Sequence, residues 1–274
     1  MSQIQKLGID KTIQYGTQIN QLVRSTKEEN KNKLTELHKF IKNLLKISNS
    51  NSKKSSVKQE SYLAYCQEEF YPGYDWFTST IFLMNKGDLN SSMNFLYNFH
   101  FLQISSLLWS ARLFSNNFLI SNVYTKNGIN ILLPTTCHYI ELILKIELPL
   151  IFSAFRMSGL SPSLICSNWL KQCFWNYLDW PEIVTYTSLC IIFGIDFQTY
   201  FCVSILKHLN EKQTDNPMYN NQSIIQHHTD RDLQIFLKEG QIENFKIENY
   251  IDFMFSLEKK YRKYILEDIK QILS

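Results

Sequence analysis

Cys173-Phe174-Trp175-Asn176-Tyr177-Leu178-Asp179-Trp180 is the densest run of bulky side chains in the chain. Four of its eight residues are aromatic, only Asp179 is charged, and it lies between the turn signal Gly159-Leu160-Ser161-Pro162 and the apolar stretch Ile183–Leu206. Aromatic mass with few charges belongs in an interior, and the spacing predicts a helix pair buried in a core. Trp169 and Trp175 are expected to point inward, with Trp180 before Pro181 closing the turn into the next helix.

Working outward, the 274 residues contain only 8 Gly and 6 Pro, but 19 Phe and 15 Tyr. So few turn-formers disfavour an all-β fold, and the expected class is all-α, many helices joined by short loops. Residues 9–25 and 28–46 read as polar amphipathic helices, the second carrying Leu34, Leu37, Phe40, Ile41, Leu44 and Leu45 on one stripe. From Asn49 to Gln59 the composition turns to Ser, Asn and Lys, a linker pattern. The expected organisation is therefore a basic helical segment and linker over 1–60, followed by one domain over 61–274. In that domain Pro149 must kink or restart an apolar helix spanning Tyr139–Arg156. Asp230 is placed to cap a helix ending at Gly240. A final helix from about Ile247 carries Ile251, Met254, Leu257, Tyr261, Ile265, Ile269 and Ile272 on one seam, with 258–263 facing water.

Charge separates the same two regions. Residues 1–60 hold 12 Lys and Arg against 5 Asp and Glu, and the remaining 214 hold 16 against 20, so a formal +3 is a sum of +7 and −4. Lysines spread among Asn, Ser and Glu read as a solvated helix face, and no nucleic-acid partner is expected. A basic start could also hold the chain at an anionic membrane surface, a weaker reading. Ile183–Leu206 is apolar, yet Gly194, Asp196 and Gln198 interrupt it, an arrangement costly in hydrocarbon. Two buried helices with a Gly-Ile-Asp junction explain it better than a membrane span. Met1–Asp10 lacks the apolar core of a secretory signal.

Chemical motifs are absent. Cysteines 66, 137, 166, 173, 190 and 202 form no CxxC pair and sit in apolar surroundings, as reduced structural thiols of a cytoplasmic protein do. His227-His228 reads as a solvated loop, and His100 and His138, standing among aromatics, as core histidines. There is no Gly-rich phosphate loop, HExxH or nucleophile elbow, so neither cofactor nor metal is expected.

Four ordered blocks carry a resemblance: Pro72-Gly73-Tyr74-Asp75-Trp76-Phe77 with Ser79–Leu83, Thr136–Phe155, Gly159–Leu209, and Asp232–Glu239. From about Tyr62 onward, some three-quarters of the chain, the sequence resembles the TBC (Rab GTPase-activating) family and within it the TBC-like regions of the Broad-minded type. The first 60 residues match none of the blocks. The resemblance implies an all-helical TBC domain. Active TBC domains offer two side chains to a GTPase: an Arg from an IxxDxxR motif that stabilises phosphoryl charge, and a Gln from a GYxQG motif that orients the attacking water.

Neither finger is found where the resemblance places it. Gly73-Tyr74-Asp75-Trp76-Phe77 puts Trp76 at the Gln position, and indole offers one N–H donor and no acceptor. Tyr65-Cys66-Gln67 mimics the Gln motif, but Glu68-Glu69 follows in place of Gly and would repel a triphosphate. No arginine occurs between Ser25 and Ala111, and Arg24 lacks the Asp of its motif. Losing an arginine finger costs about 10³- to 10⁵-fold in rate. The expected function is accordingly a catalytically inactive, protein-binding TBC-like domain, with no catalytic residues. The resemblance further implies a role in cilium assembly and ciliary signalling, a cytoplasmic location at the cilium or basal body, and partners among Rab-type small GTPases and a cell-cycle-related kinase. The alternative is an active Rab GTPase activator using Arg24 and Gln67. Relatives of this type carry a long helical-repeat region ahead of the TBC-like part, so the chain is expected to be a short relative or an incomplete gene product.

Overall fold

The computed structural model describes residues 8–50, 76–102, 108, 132–211 and 240–273. They form ten α-helices with no strand among the described residues, the all-α class expected. The chain divides into two compact units, Met1–Val123 and Tyr124–Ser274.

The first unit contains α1 (Ile9–Gln18), α2 (Lys27–Ser50), α3 (Trp76–Met84) and α4 (Leu89–Phe99). α1 stops earlier than the pattern to residue 25 predicts. The Gly16 carbonyl accepts from the amides of Gln21 and Leu22, and Asn20 takes a left-handed φ of 56°, which turns the chain. α2 then starts on a capping box: Thr26 Oγ1 accepts from the Glu29 amide at 3.2 Å, and the Glu29 carboxylate accepts from the Thr26 amide at 2.7 Å. Its predicted stripe is real, with Leu34, Leu37, Ile41 and Leu44 buried. α2 packs on α1 and α4, and α3 on α4. α1 approaches α3 closely, since the Thr12 and Ser79 hydroxyls lie 3.0 Å apart in the interior. A Cβ on Gly16 would come 2.5 Å from Leu83 Cδ2. The boundary expected near residue 60 lies outside the described residues; helices on either side of it share this unit.

The second unit contains α5 (Leu132–Glu147), α6 (Pro149–Met157), α7 (Pro162–Lys171), α8 (Trp180–Phe193), α9 (Phe197–Glu211) and α10 (Ile251–Leu273), with one 3₁₀ turn, Ile247–Asn249, before α10. Pro149 restarts the helix as expected, because proline is tolerated in a first turn but removes an interior hydrogen bond. Ser161 caps α7 with Pro162 just inside it. Gly194, at φ 107°, ends α8. α9 is the centre: every residue from Phe197 to Leu206 is buried, and it packs against α5, α6, α8 and α10. The apolar run Ile183–Leu206 is thus two helices broken at Gly194, the first partly buried and the second buried throughout the run. Among the described residues no single helix is long and apolar enough to cross a membrane.

Most of the opening octet is buried, but Cys173–Leu178 is not helical. Residues 172–178 form successive turns between α7 and α8, and Cys173 and Phe174 both take left-handed φ values, 47° and 61°. Left-handed backbone costs about 1–2 kcal/mol per L-residue. It is offset here by what the turn buries. Phe174 lies edge-on to Tyr186 and Phe201, and Trp169 and Tyr177 pack beside it. The Tyr177 carbonyl accepts from the Ile242 amide at 2.8 Å, fastening the turn to the segment before α10. Trp169 and Trp175 do point inward, and Trp180 opens α8.

Met254, Leu257, Ile265 and Ile269 are buried as the final seam predicts, but Arg262 turns back to donate to the Phe193 carbonyl at 2.8 Å instead of facing water. His138 is exposed on α5, whereas His100 is buried as expected. The helix expected to end at Gly240 lies over residues outside the described ones.

Candidate functional site

Trp76 is the first residue of α3, and its carbonyl accepts from Thr80 Oγ1 at 2.8 Å. Every residue from Trp76 to Leu83 is buried, so α3 is an interior helix of the first unit and Trp76 is 9% exposed. The residue at the expected Gln position therefore combines the wrong chemistry with a buried setting. Gln67, the near-match, lies outside the described residues.

Arg24 sits in the α1–α2 turn and is exposed. The turn is pinned on both sides. Leu22 is buried against Gly16 and Gly87, and after it the capping box, Asn30 Nδ2 on the Ser25 carbonyl at 3.2 Å and Lys33 Nζ on Ser25 Oγ at 2.7 Å hold the start of α2. The backbone and side-chain hydrogen bonds from Thr26 hold the Glu29 carboxyl below its usual value. Arg24 is thus an exposed side chain on a pinned turn, and Trp76 is a buried indole.

The second unit is rich in buried polar contacts, and each joins one piece of backbone to another. Glu182 accepts from the Ile247 amide at 2.9 Å and from Lys246 Nζ at 3.1 Å. Asp196 accepts from the Tyr200 hydroxyl at 2.8 Å; burial pushes its carboxyl up, the Tyr200 bond and Arg262 pulling the other way. His208 Nδ1 lies 3.0 Å from the Tyr250 hydroxyl, and its Nε2 lies 3.0 Å from the Glu243 carbonyl, to which it must donate. Tyr250 donates in turn to Glu211 at 3.0 Å. Cys166 and Cys190 are pushed well above the usual thiol range by burial, the reverse of what a nucleophilic thiolate needs. The described residues contain no group of three or more His, Cys, Asp or Glu able to hold a metal ion. Among the described residues no acid, base and nucleophile converge.

Comparison with known proteins is consistent with this helical, motif-poor construction. The family model described as the Broad-minded protein Rab TBC domain matches residues 1–272. The chain belongs to the Broad-minded TBC-like family. The match takes in the first 60 residues, which the four sequence blocks left out. The chain is 40% identical over 273 residues to protein broad-minded of Danio rerio, covering 100% of this chain, and 38% identical to protein broad-minded of Mus musculus, covering 99%. It spans 19% of the length of each of these curated relatives. No solved structure matches.

The sequence of this Broad-minded-type domain marks only some of the residues that fasten it together. Asp196 stood out as a charge inside an apolar run. Glu182 gave no signal, because its partner is a backbone amide 65 residues away.

Proposed function

We propose that this chain is a TBC-like domain of the Broad-minded family that binds other proteins without accelerating GTP hydrolysis. Its role is in cilium assembly and ciliary signalling, in the cytoplasm at the cilium or basal body. Its partners are a Rab-type small GTPase, held without hydrolysis, and a cell-cycle-related kinase. One observation carries the non-catalytic part: Trp76 stands where the family resemblance puts the water-orienting Gln, and its side chain is buried at the start of an interior helix. The lack of any arginine from Thr26 to Ser110 supports it.

The test is phosphate release from a panel of GTP-loaded Rab proteins with and without the purified chain. Rates within a few-fold of intrinsic hydrolysis are expected across the panel. Stimulation beyond that on any member overturns the reading in favour of an activator using Arg24 and Gln67, and Gln67→Ala would then abolish it.

A further inference from the structure

His208, Tyr250 and Glu211 are joined by contacts that call for one more proton than a neutral imidazole, a phenol and a carboxylate supply. His208 Nε2 lies 3.0 Å from the Glu243 carbonyl, and a carbonyl only accepts, so this nitrogen carries a proton. His208 Nδ1 and Glu211 Oε2 both lie 3.0 Å from the Tyr250 hydroxyl, which has a single proton to give. Tyr250 stays a phenol, because burial and the Glu211 bond push its titration far up. If it donates to Glu211, Nδ1 must donate to the phenol oxygen. If it donates to Nδ1, the phenol and carboxylate oxygens face each other at 3.0 Å with no proton between them.

Lys207 governs where the extra proton goes. Its Nζ lies 2.5 Å from Glu211 Oε1 and 5.6 Å from the centre of the Tyr250 ring, which favours the anion on Glu211 and leaves the proton to the imidazole. His208 also sits in the last turn of α9, where the helix dipole favours a cation. Burial of the ring and the charge of Lys207 oppose it. On the segment before the 3₁₀ turn the charged residues are Glu243, which is exposed, and Lys246, which Glu182 holds at 3.1 Å. Glu248 in the turn and Asp252 at the start of α10 are exposed. Phe245 and Tyr250 stand edge-on to the imidazole, with ring centres 5.4 and 5.7 Å away.

We propose that His208 is a proton-operated latch. With both ring nitrogens protonated it ties the end of α9 to the residues that launch α10, and loss of that proton opens the Tyr250–Glu211 contact. The carboxylate is the part that leaves, since Glu211 is exposed and Tyr250 is buried. A proton gained on folding stabilises fully below the ordinary histidine value of about 6.5, and its contribution is lost as pH rises through the folded value. Nothing in this latch requires the non-catalytic reading, and its test contains no GTPase.

The test uses the whole chain with isotope-labelled histidine, His208 being assigned through its contacts with Phe245 and Tyr250, and follows the ring nitrogens by proton–nitrogen correlation as pH is raised. At about pH 7.5, a unit above the ordinary histidine midpoint, His208 is expected to show two protonated nitrogens. Glu211→Gln is a surface change with a specific consequence. Its amide can donate to the Tyr250 oxygen, so Tyr250 can donate to Nδ1 and a neutral imidazole is fully bonded. The His208 midpoint should then fall by about one pH unit or more, the scale set by an opposite charge within a few ångströms. Tyr250→Phe keeps the carboxylate but removes the acceptor at Nδ1, and it should lower the midpoint as well. A neutral Nε2–H imidazole at about pH 6, below the ordinary midpoint, overturns the latch. So does a midpoint that either variant leaves unchanged, since the proton would then be held without the phenol and the carboxylate.

Discussion

The carboxylate of Glu182, in the first turn of α8, receives the backbone amide of Ile247 at 2.9 Å and so fixes the 3₁₀ turn that launches α10. Both residues are buried, and among the described residues this carboxylate is the acceptor the amide has in place of water. Hydrogen bonds to charged groups contribute about 1.5–3 kcal/mol, and an orphaned buried donor costs a similar amount. Glu182→Ala is therefore expected to destabilise the chain by about 2 kcal/mol and to lower Tm by roughly 3–10 °C. Urea unfolding checks it; a midpoint equal to that of the parent would show that water replaces the carboxylate at no cost.

Asp196 supplies a pH dependence of defined sign. Burial raises its carboxyl above the ordinary value of 3.8, and Oδ2 takes the Tyr200 hydroxyl while Oδ1 accepts nothing. An acid raised in the folded state holds its proton more tightly folded than unfolded. Its contribution is fully present below the unfolded value and is lost as pH climbs through the folded one. Asp196→Asn keeps an acceptor for Tyr200 and removes the buried charge. Variant and parent should unfold at similar temperatures near pH 4, and the variant should gain as pH rises to 7. A gap that is constant with pH would contradict this.

At Gly87 the backbone takes φ 76°, and an added Cβ would lie 2.8 Å from Leu22 Cδ2 and 3.2 Å from Asn30 Oδ1. Gly87→Ala combines left-handed strain with overpacking of buried neighbours, and a loss of about 2–4 kcal/mol is expected. Chemical denaturation reads it, and a loss below about 1 kcal/mol would mean that the turn re-forms with another φ.

Local signals recovered most of the helices, and long-range ones were the blind spot. Pro149, Gly194, the Gly159–Pro162 turn and the stripes of α2 and α10 declare themselves within a few residues, and each lies where the pattern placed it. The turn at 172–178 did not, because its left-handed residues are Cys173 and Phe174, which prefer other conformations. Only the packing of Phe174 against Tyr186 and Phe201 selects the turn. His138 read as a core histidine because aromatics surround it in sequence, but helical phase turns it outward. At the candidate site Trp76 was legible as a departure from a motif. That its helix is interior on every side is hidden by Thr78, Ser79 and Thr80, polar residues that are buried all the same.

Cys137, Cys166, Cys173, Cys190 and Cys202 are all buried. Burial keeps Cys166 and Cys190 protonated, and thiolates are the reactive species. Native protein at pH 8 should leave these five positions unlabelled by iodoacetamide for as long as it stays folded, and label all of them in guanidinium. Peptide mapping by mass spectrometry distinguishes them; fast native labelling at Cys166 or Cys202 would show that α7 and α9 separate readily.

Trp76→Gln restores the amide that the TBC resemblance asks for, and it is expected to restore no activity. The new side chain would occupy a position that is 9% exposed at the start of an interior helix. The arginine would still be missing, which alone costs about 10³- to 10⁵-fold. The substitution should also destabilise, since a buried indole is exchanged for a polar amide; about 2–4 kcal/mol is expected from large-to-small and buried-polar effects together. Trp76→Phe, which keeps an apolar ring, should lose less. The measurement pairs phosphate release from GTP-loaded Rab proteins with thermal unfolding of the same samples. More than ten-fold acceleration by the Gln variant would mean that an arginine outside the expected stretch, Arg24 first among them, already reaches the nucleotide, and the domain would then be a GTPase activator disabled by a single tryptophan.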